Sequence, residues 1–136
     1  MSGYSGTPLP RKLGIAEGGT FALVAAPDDA AAILGGLPAG ARRVDEPAEA
    51  DVVLVFAVAR GELARHVDEL GRAIFPDRML WVAWPKRASK VPTDITEDVV
   101  REVALPLGLV DTKVAAIDAT WSGLRLVWRR ELRDAR

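Results

Sequence analysis

The sequence predicts an α/β domain of three layers, with a mostly parallel sheet of about six strands and an antiparallel hairpin near its C-terminal end. Three observations lead there. Two apolar runs, DVVLVFAVA (51–59) and RMLWVAW (78–84), show no polar alternation, which is the pattern of strands covered on both faces. Helical stripes separate the runs, so neighbouring strands should lie parallel. The chain then ends in two extended runs joined by ATWS, close enough to pair as a hairpin.

The elements follow in order. In SGTPLPRKLGI, Thr7 is placed to cap a short helix with Pro8 at its first position, Leu9 and Leu13 share a face, and Gly14 supplies a left-handed terminal residue. Residues 1–8 form an arm ahead of it. EGG (17–19) is a turn, and TFALVAA from Thr20 is a buried strand closed by Pro27. Asp28 and Asp29 stand where a helix begins, AAAIL carries it, and Gly35 and Gly36 stop it. ARRV is a short strand ending at Asp45, EPAEA is a loop, and DVVLVFAVA is the strongest strand in the chain.

RGELARHVDELGRAIFP puts Leu63, Val67, Leu70 and Ile74 on one helical stripe, with Pro76 beyond it. After the RMLWVAW strand, ITEDVVREVALPLG places Ile95, Val99, Val103 and Leu107 on another. LVDTKVAAID and GLRLVWRR form the hairpin, and residues 130–136 are a charged tail expected to fray. There is no internal repeat and no linker, so residues 1–136 read as one domain.

Composition excludes several functions. The 136 residues are 49% apolar and carry a formal net charge of -1, which argues against extensive nucleic-acid binding. With no cysteine and one histidine, neither a disulfide framework nor a His or Cys metal site is available, and no spacing of carboxylates supplies a metal set. No apolar run nears bilayer length and the N-terminal stretch lacks a signal-like core, so no membrane partner is expected and a cytoplasmic location is the simplest reading.

The element order resembles the Rossmann-like fold of S-adenosylmethionine-dependent methyltransferases, whose chains also end in an antiparallel hairpin strand. RKLGIAEGGTFALVAA is similar to their lead-in helix, turn and first strand; ADVVLVF and FPDRMLWVAWPK are similar to the fourth and fifth strands. The likeness covers roughly residues 9–129, with a helix and a strand missing from the middle. A more specific resemblance, over nearly the whole chain, is to small bacterial proteins classed as a domain of unknown function. It rests on YSGTPL (4–9), KLGI (12–15), WPK (84–86), TDITEDVVRE (93–102) and DATWSGLR (118–125), and it brings no activity with it.

The methyltransferase resemblance implies glycines just after the first strand, where the backbone meets the cofactor and the next helix opens toward it. This chain has AAPDD (25–29): Pro27 removes an N–H, and Asp28 and Asp29 already complement the helix dipole. No cofactor is expected on these grounds. Asp45 could meet a ribose, but an isolated Asp before a loop is more often a turn residue.

WPKRASKVPTDITEDVV raises the main functional question. Lys86, Ser89, Lys90 and Thr93 leave the carboxyl end of a strand, where open parallel sheets bind ligands. DITE reads as a capping box, with Asp94 and Glu97 placing two carboxylates where an anion would sit. A solvated basic loop and a weak phosphate or carboxylate site are both open. Across a shallow crevice the hairpin would bring Asp118, Thr120, Trp121 and Ser122 to face Lys86 and Lys90, with Asp118 to orient a hydroxyl or act as a base and Trp121 as a core lid or a stacking surface. Trp84 is near enough to the strand end to line the crevice, while Trp81 and Trp128 read as core.

No catalytic set emerges. Ser5, Ser89 and Ser122 lack a nucleophile-elbow pattern, and His66 is the one histidine available as a base. Two functions follow: a non-catalytic methyltransferase-like binding or regulatory module, with a protein partner or self-association through Trp121 and the hairpin, or a small enzyme or ligand-binding protein for an anionic metabolite or nucleotide. In the second reading Tyr4 and Thr7 would close over the site if the arm crosses that edge.

Overall fold

The computed structural model describes residues 7–133. The strands are β1 (Thr20–Val24), β2 (Arg42–Arg43), β3 (Val52–Phe56), β4 (Met79–Pro85), β5 (Leu109–Ala116) and β6 (Trp121–Trp128). The helices are α1 (Leu9–Leu13), α2 (Ala30–Leu34), α3 (Arg60–Ile74), α4 (Glu97–Ala104) and α5 (Arg130–Arg133). The strands form one sheet in the order β2-β1-β3-β4-β6-β5. β2, β1, β3 and β4 are mutually parallel, and β6 runs antiparallel to both its neighbours, as the sequence predicts.

The unalternated runs occupy the centre of the sheet. All five residues of β3 are buried, because β1 and β4 flank the strand and helices lie over both its faces. On one face Leu63, Val67, Leu70 and Ile74 of α3 meet Val53, Val55, Leu80 and Val82, with Val100 and Ala104 of α4 completing the cluster. On the other, Leu13 and Leu34 cover Phe21, Leu54 and Trp81. Burying each large aliphatic contributes roughly 1.5–3 kcal/mol.

Two tryptophan N–H groups tie helices to the sheet. Trp81 Nε1 donates to Leu13 O at 2.9 Å in the buried interior, and Trp128 Nε1 donates to Gly71 O at 2.8 Å. Trp81 also explains a motif glycine. A Cβ on Gly123 would lie 2.9 Å from Ile117 Cδ1 and 3.2 Å from Trp81 Cε3, so a side chain there would have to displace the end of Ile117 and crowd the indole, and glycine lets the TWSGLR strand pass over it closely.

Four expectations are corrected. Pro8, with φ -60° and ψ 145°, flanks α1 where Thr7 was expected to cap it, although Gly14 does take the left-handed conformation. α4 starts at Glu97 and stops at Ala104 because Pro106 cannot continue it. Its buried residues are therefore Val100 and Ala104; Val99 and Val103 are partly buried, and Leu107, outside the helix, is 38% exposed. The tail turns helical over α5, where Arg133 Nε donates to Trp128 O at 3.0 Å. Residues 47–49 of the EPAEA loop form a 3-10 turn. The arm residues 1–6, with Tyr4, and residues 134–136 lie outside the described residues.

Trp81→Phe should lower the unfolding free energy by on the order of 2 kcal/mol, because it leaves the Leu13 carbonyl without its partner and a void beside Gly123. Urea denaturation of the variant against the native chain measures this; an unchanged midpoint would mean that the indole N–H contributes nothing.

Candidate functional site

The sheet reverses direction of growth between β1 and β3, so the crevice outside their carboxyl ends is where this architecture accepts ligands. On the β1 side Ala25 adopts φ 54°, a left-handed conformation usually left to glycine. The turn keeps that backbone bend while presenting a methyl group. Asp29 flanks α2 without making a side-chain cap, and α2 is only five residues long. On the β3 side Thr93 Oγ1 donates to Val58 O at 2.6 Å, and Asp94 Oδ1 accepts from Arg60 N at 2.7 Å. The loop after β4 thus crosses the end of β3 and caps α3.

This corrects the capping box. Asp94 belongs to the start of α3, not of α4. The N-cap of α4 is Thr96, whose Oγ1 accepts from Val99 N at 3.2 Å. Glu97 turns to Arg101, which also binds Asp98 at 3.1 Å and Asp111 at 3.0 Å. Hydrogen bonds donated to Glu97 and then to Asp111 hold the Arg101 guanidinium above its ordinary range, so this cross-tie between α4 and β5 stays charged. The two carboxylates expected to block an anion are both committed elsewhere.

A cleft of about 520 Å³ opens at the carboxyl end of β4. Of the predicted site residues, Trp84, Lys86, Lys90 and Thr93 line it. The sequence reading did not place Thr96 at this site, yet it lines the cleft, and Ser122, expected to face Lys86 and Lys90 across the crevice, lines it as well. Thr96 followed by two acidic residues was a legible N-cap signal, whereas Ser122 arrives because β6 pairs it with Trp84. Lys86, Arg87 and Lys90 make none of the ion pairs found among the described residues. Ser89 serves the loop itself: its Oγ donates to Lys86 O at 2.6 Å and accepts from Val91 N at 3.3 Å.

Asp118 and Trp121 lie outside the cleft lining. Asp118 Oδ1 accepts from Thr120 N at 2.9 Å and Trp121 N at 2.8 Å, which closes the hairpin turn. Trp121 stands edge-on to Phe56, with ring centroids 5.0 Å apart, and packs on the cluster under α1 and α2. Trp84 belongs to the opposite cluster. The sheet itself separates the two indoles, because residues 84 and 85 of β4 pair with 122 and 121 of β6 and alternate between faces. Among the described residues no group of three or more His, Cys, Asp or Glu is placed to hold a metal, and no helix is long and apolar enough to cross a membrane.

No family model matches the chain, and no curated protein matches it. Solved structures do. Magnesium protoporphyrin IX methyltransferase from Synechocystis, with bound S-adenosylmethionine, superposes with a TM-score of 0.54 at 10% identity, covering 89% of this chain and 74% of its own. The tRNA methyltransferase TrmK of B. subtilis gives 0.56 at 14% identity, over 95% of this chain and 68% of its own. Fibrillarin of Aeropyrum pernix, with natively bound S-adenosyl-L-methionine, gives 0.50 at 15%, over 92% and 70%. The fold is therefore methyltransferase-like and Rossmann-like.

Asp94→Ala should remove about 1 kcal/mol of stability by uncapping α3. The Arg60 amide should lose protection in hydrogen exchange while the α4 amides keep theirs. Asp94→Asn, which can still accept from that amide, should lose less; an unchanged midpoint in Asp94→Ala would show that the cap contributes nothing, and equal losses in the two variants would assign the effect to the charge and not the hydrogen bond.

Proposed function

We propose that this chain is a non-catalytic binding or regulatory module built on the methyltransferase-like fold, akin to the small bacterial proteins that share its YSGTPL and TWSGLR motifs. The observation that carries the reading is the turn after β1. Ala25 retains the left-handed bend but sets a methyl group where backbone would have to approach a cofactor. Pro27 offers no N–H, and Asp28 and Asp29 repel a carboxylate or phosphate at the head of a helix too short to present a strong dipole.

The basic cleft favours a second reading, in which the module holds a small anion at the carboxyl edge through Lys86 and Lys90, the Thr93 hydroxyl expected beside them being already donated to Val58 O. Three cations line the cleft with one carboxylate, and Arg101 neutralises that carboxylate. Self-association through the hairpin edge has weaker support. Val114 is 51% exposed on β5, but a bulge between Asp111 and Lys113, and the lysine itself, are features that discourage edge pairing.

Calorimetric titration with S-adenosylmethionine and its demethylated product should show no binding at micromolar concentrations. A micromolar dissociation constant for either would overturn the non-catalytic reading.

A further inference from the structure

We propose that the cleft beside Trp84 takes an organic anion with an apolar body and one terminal carboxylate or phosphate, and that it excludes nucleotides. The inference rests on the reading of the carboxyl edge as the binding site and specifies its ligand. The lining divides by chemistry. Val91 and Pro92, with the edges of the buried Trp84 and Ile95 beneath them, supply an apolar portion, and Lys86, Arg87 and Lys90 supply the charge beside Glu97, which Arg101 pairs. At about 520 Å³ the cleft has the volume of a metabolite site, so inorganic phosphate would leave the apolar portion unfilled.

A nucleobase is held by an aromatic ring face or by several free neutral donors and acceptors, and among the described side chains the cleft offers no exposed aromatic face and one uncommitted hydroxyl. Trp84 is only 6% exposed, and Trp121 lies on the far side of the sheet against Phe56. Thr93 Oγ1 is occupied on both sides, donating to Val58 O and accepting from Ile95 N at 3.1 Å, and Thr96 Oγ1 accepts from Val99 N. Ser122 is left as the cleft hydroxyl that makes no side-chain hydrogen bond among the described residues.

Lys90 gives a second, independent indication. It holds φ 62° and ψ 11° at the end of the 3-10 turn Arg87–Ser89, a conformation that glycine adopts freely and lysine does not. A side chain kept where the backbone would favour none points to work done by that side chain.

The test compares four probes by calorimetry at low and high salt: inorganic phosphate, adenosine monophosphate, phenyl phosphate and 3-phenylpropionate. One of the two aryl anions should bind at least tenfold more tightly than both inorganic phosphate and the nucleotide, and the tighter of the two identifies the head group. Its affinity should fall with salt and drop at least tenfold in the Lys86→Ala, Lys90→Ala double variant, whose thermal midpoint should stay near that of the native chain. Lys90→Gly should raise the midpoint and weaken binding together.

Equal affinity for phosphate and phenyl phosphate, or tighter binding of the nucleotide, would overturn the ligand class while leaving an anion site in place. No binding of any probe, or binding indifferent to both lysines, would overturn the carboxyl-edge site as well.

Discussion

Burial of β3 and β4 on both faces is the constraint from which the rest of the structure follows. A strand of five consecutive apolar residues, Val52–Phe56, has no side it can show to water, so the chain must supply one layer above and another below. α3 and α4 supply the first. The second is thinner, since α1 and α2 have five residues each, and it depends on Trp81, whose ring fills the space and whose N–H fastens the Leu13 carbonyl. Gly123 and the Trp121 lid are adjustments to that same indole and to Phe56 beside it.

The sequence was most legible where one physical demand dominates. β3, β4 and the stripe of α3 could be read directly, because an unalternated apolar run and a 3.6-residue period each admit few alternatives. Helix ends were less legible, since they depend on which polar side chain reaches which amide. TDITE offers three capping side chains within four residues. Local spacing favours Asp94 at α4, but α3 lies close enough to claim it, and Thr96 is left to cap its own helix. Only tertiary proximity decides between them.

The candidate site was legible as an edge and a charge, and less so as an arrangement. WPKRASK marked the carboxyl end of β4, and Lys86 and Lys90 do line a cleft there. Of the two roles open to Trp121, lid or stacking surface, geometry selects the lid: adjacent positions in a strand point to opposite faces, and the hairpin register puts Trp121 on the face opposite Trp84. A sequence displays the alternation but not the register. Asp118 likewise looked available until its turn closed around it.

The segment from Thr93 to Thr96 has one more consequence. Thr93 holds the end of β3, Asp94 holds the first amide of α3, Ile95 is sunk in the core and Thr96 starts α4, so four consecutive residues are each fastened to a different part of the molecule. Three of them also form one wall of the cleft. That wall can move only by breaking contacts on both helices at once. Whatever enters the cleft therefore meets a surface already fixed, and the entropy of ordering it has been spent in folding rather than in binding.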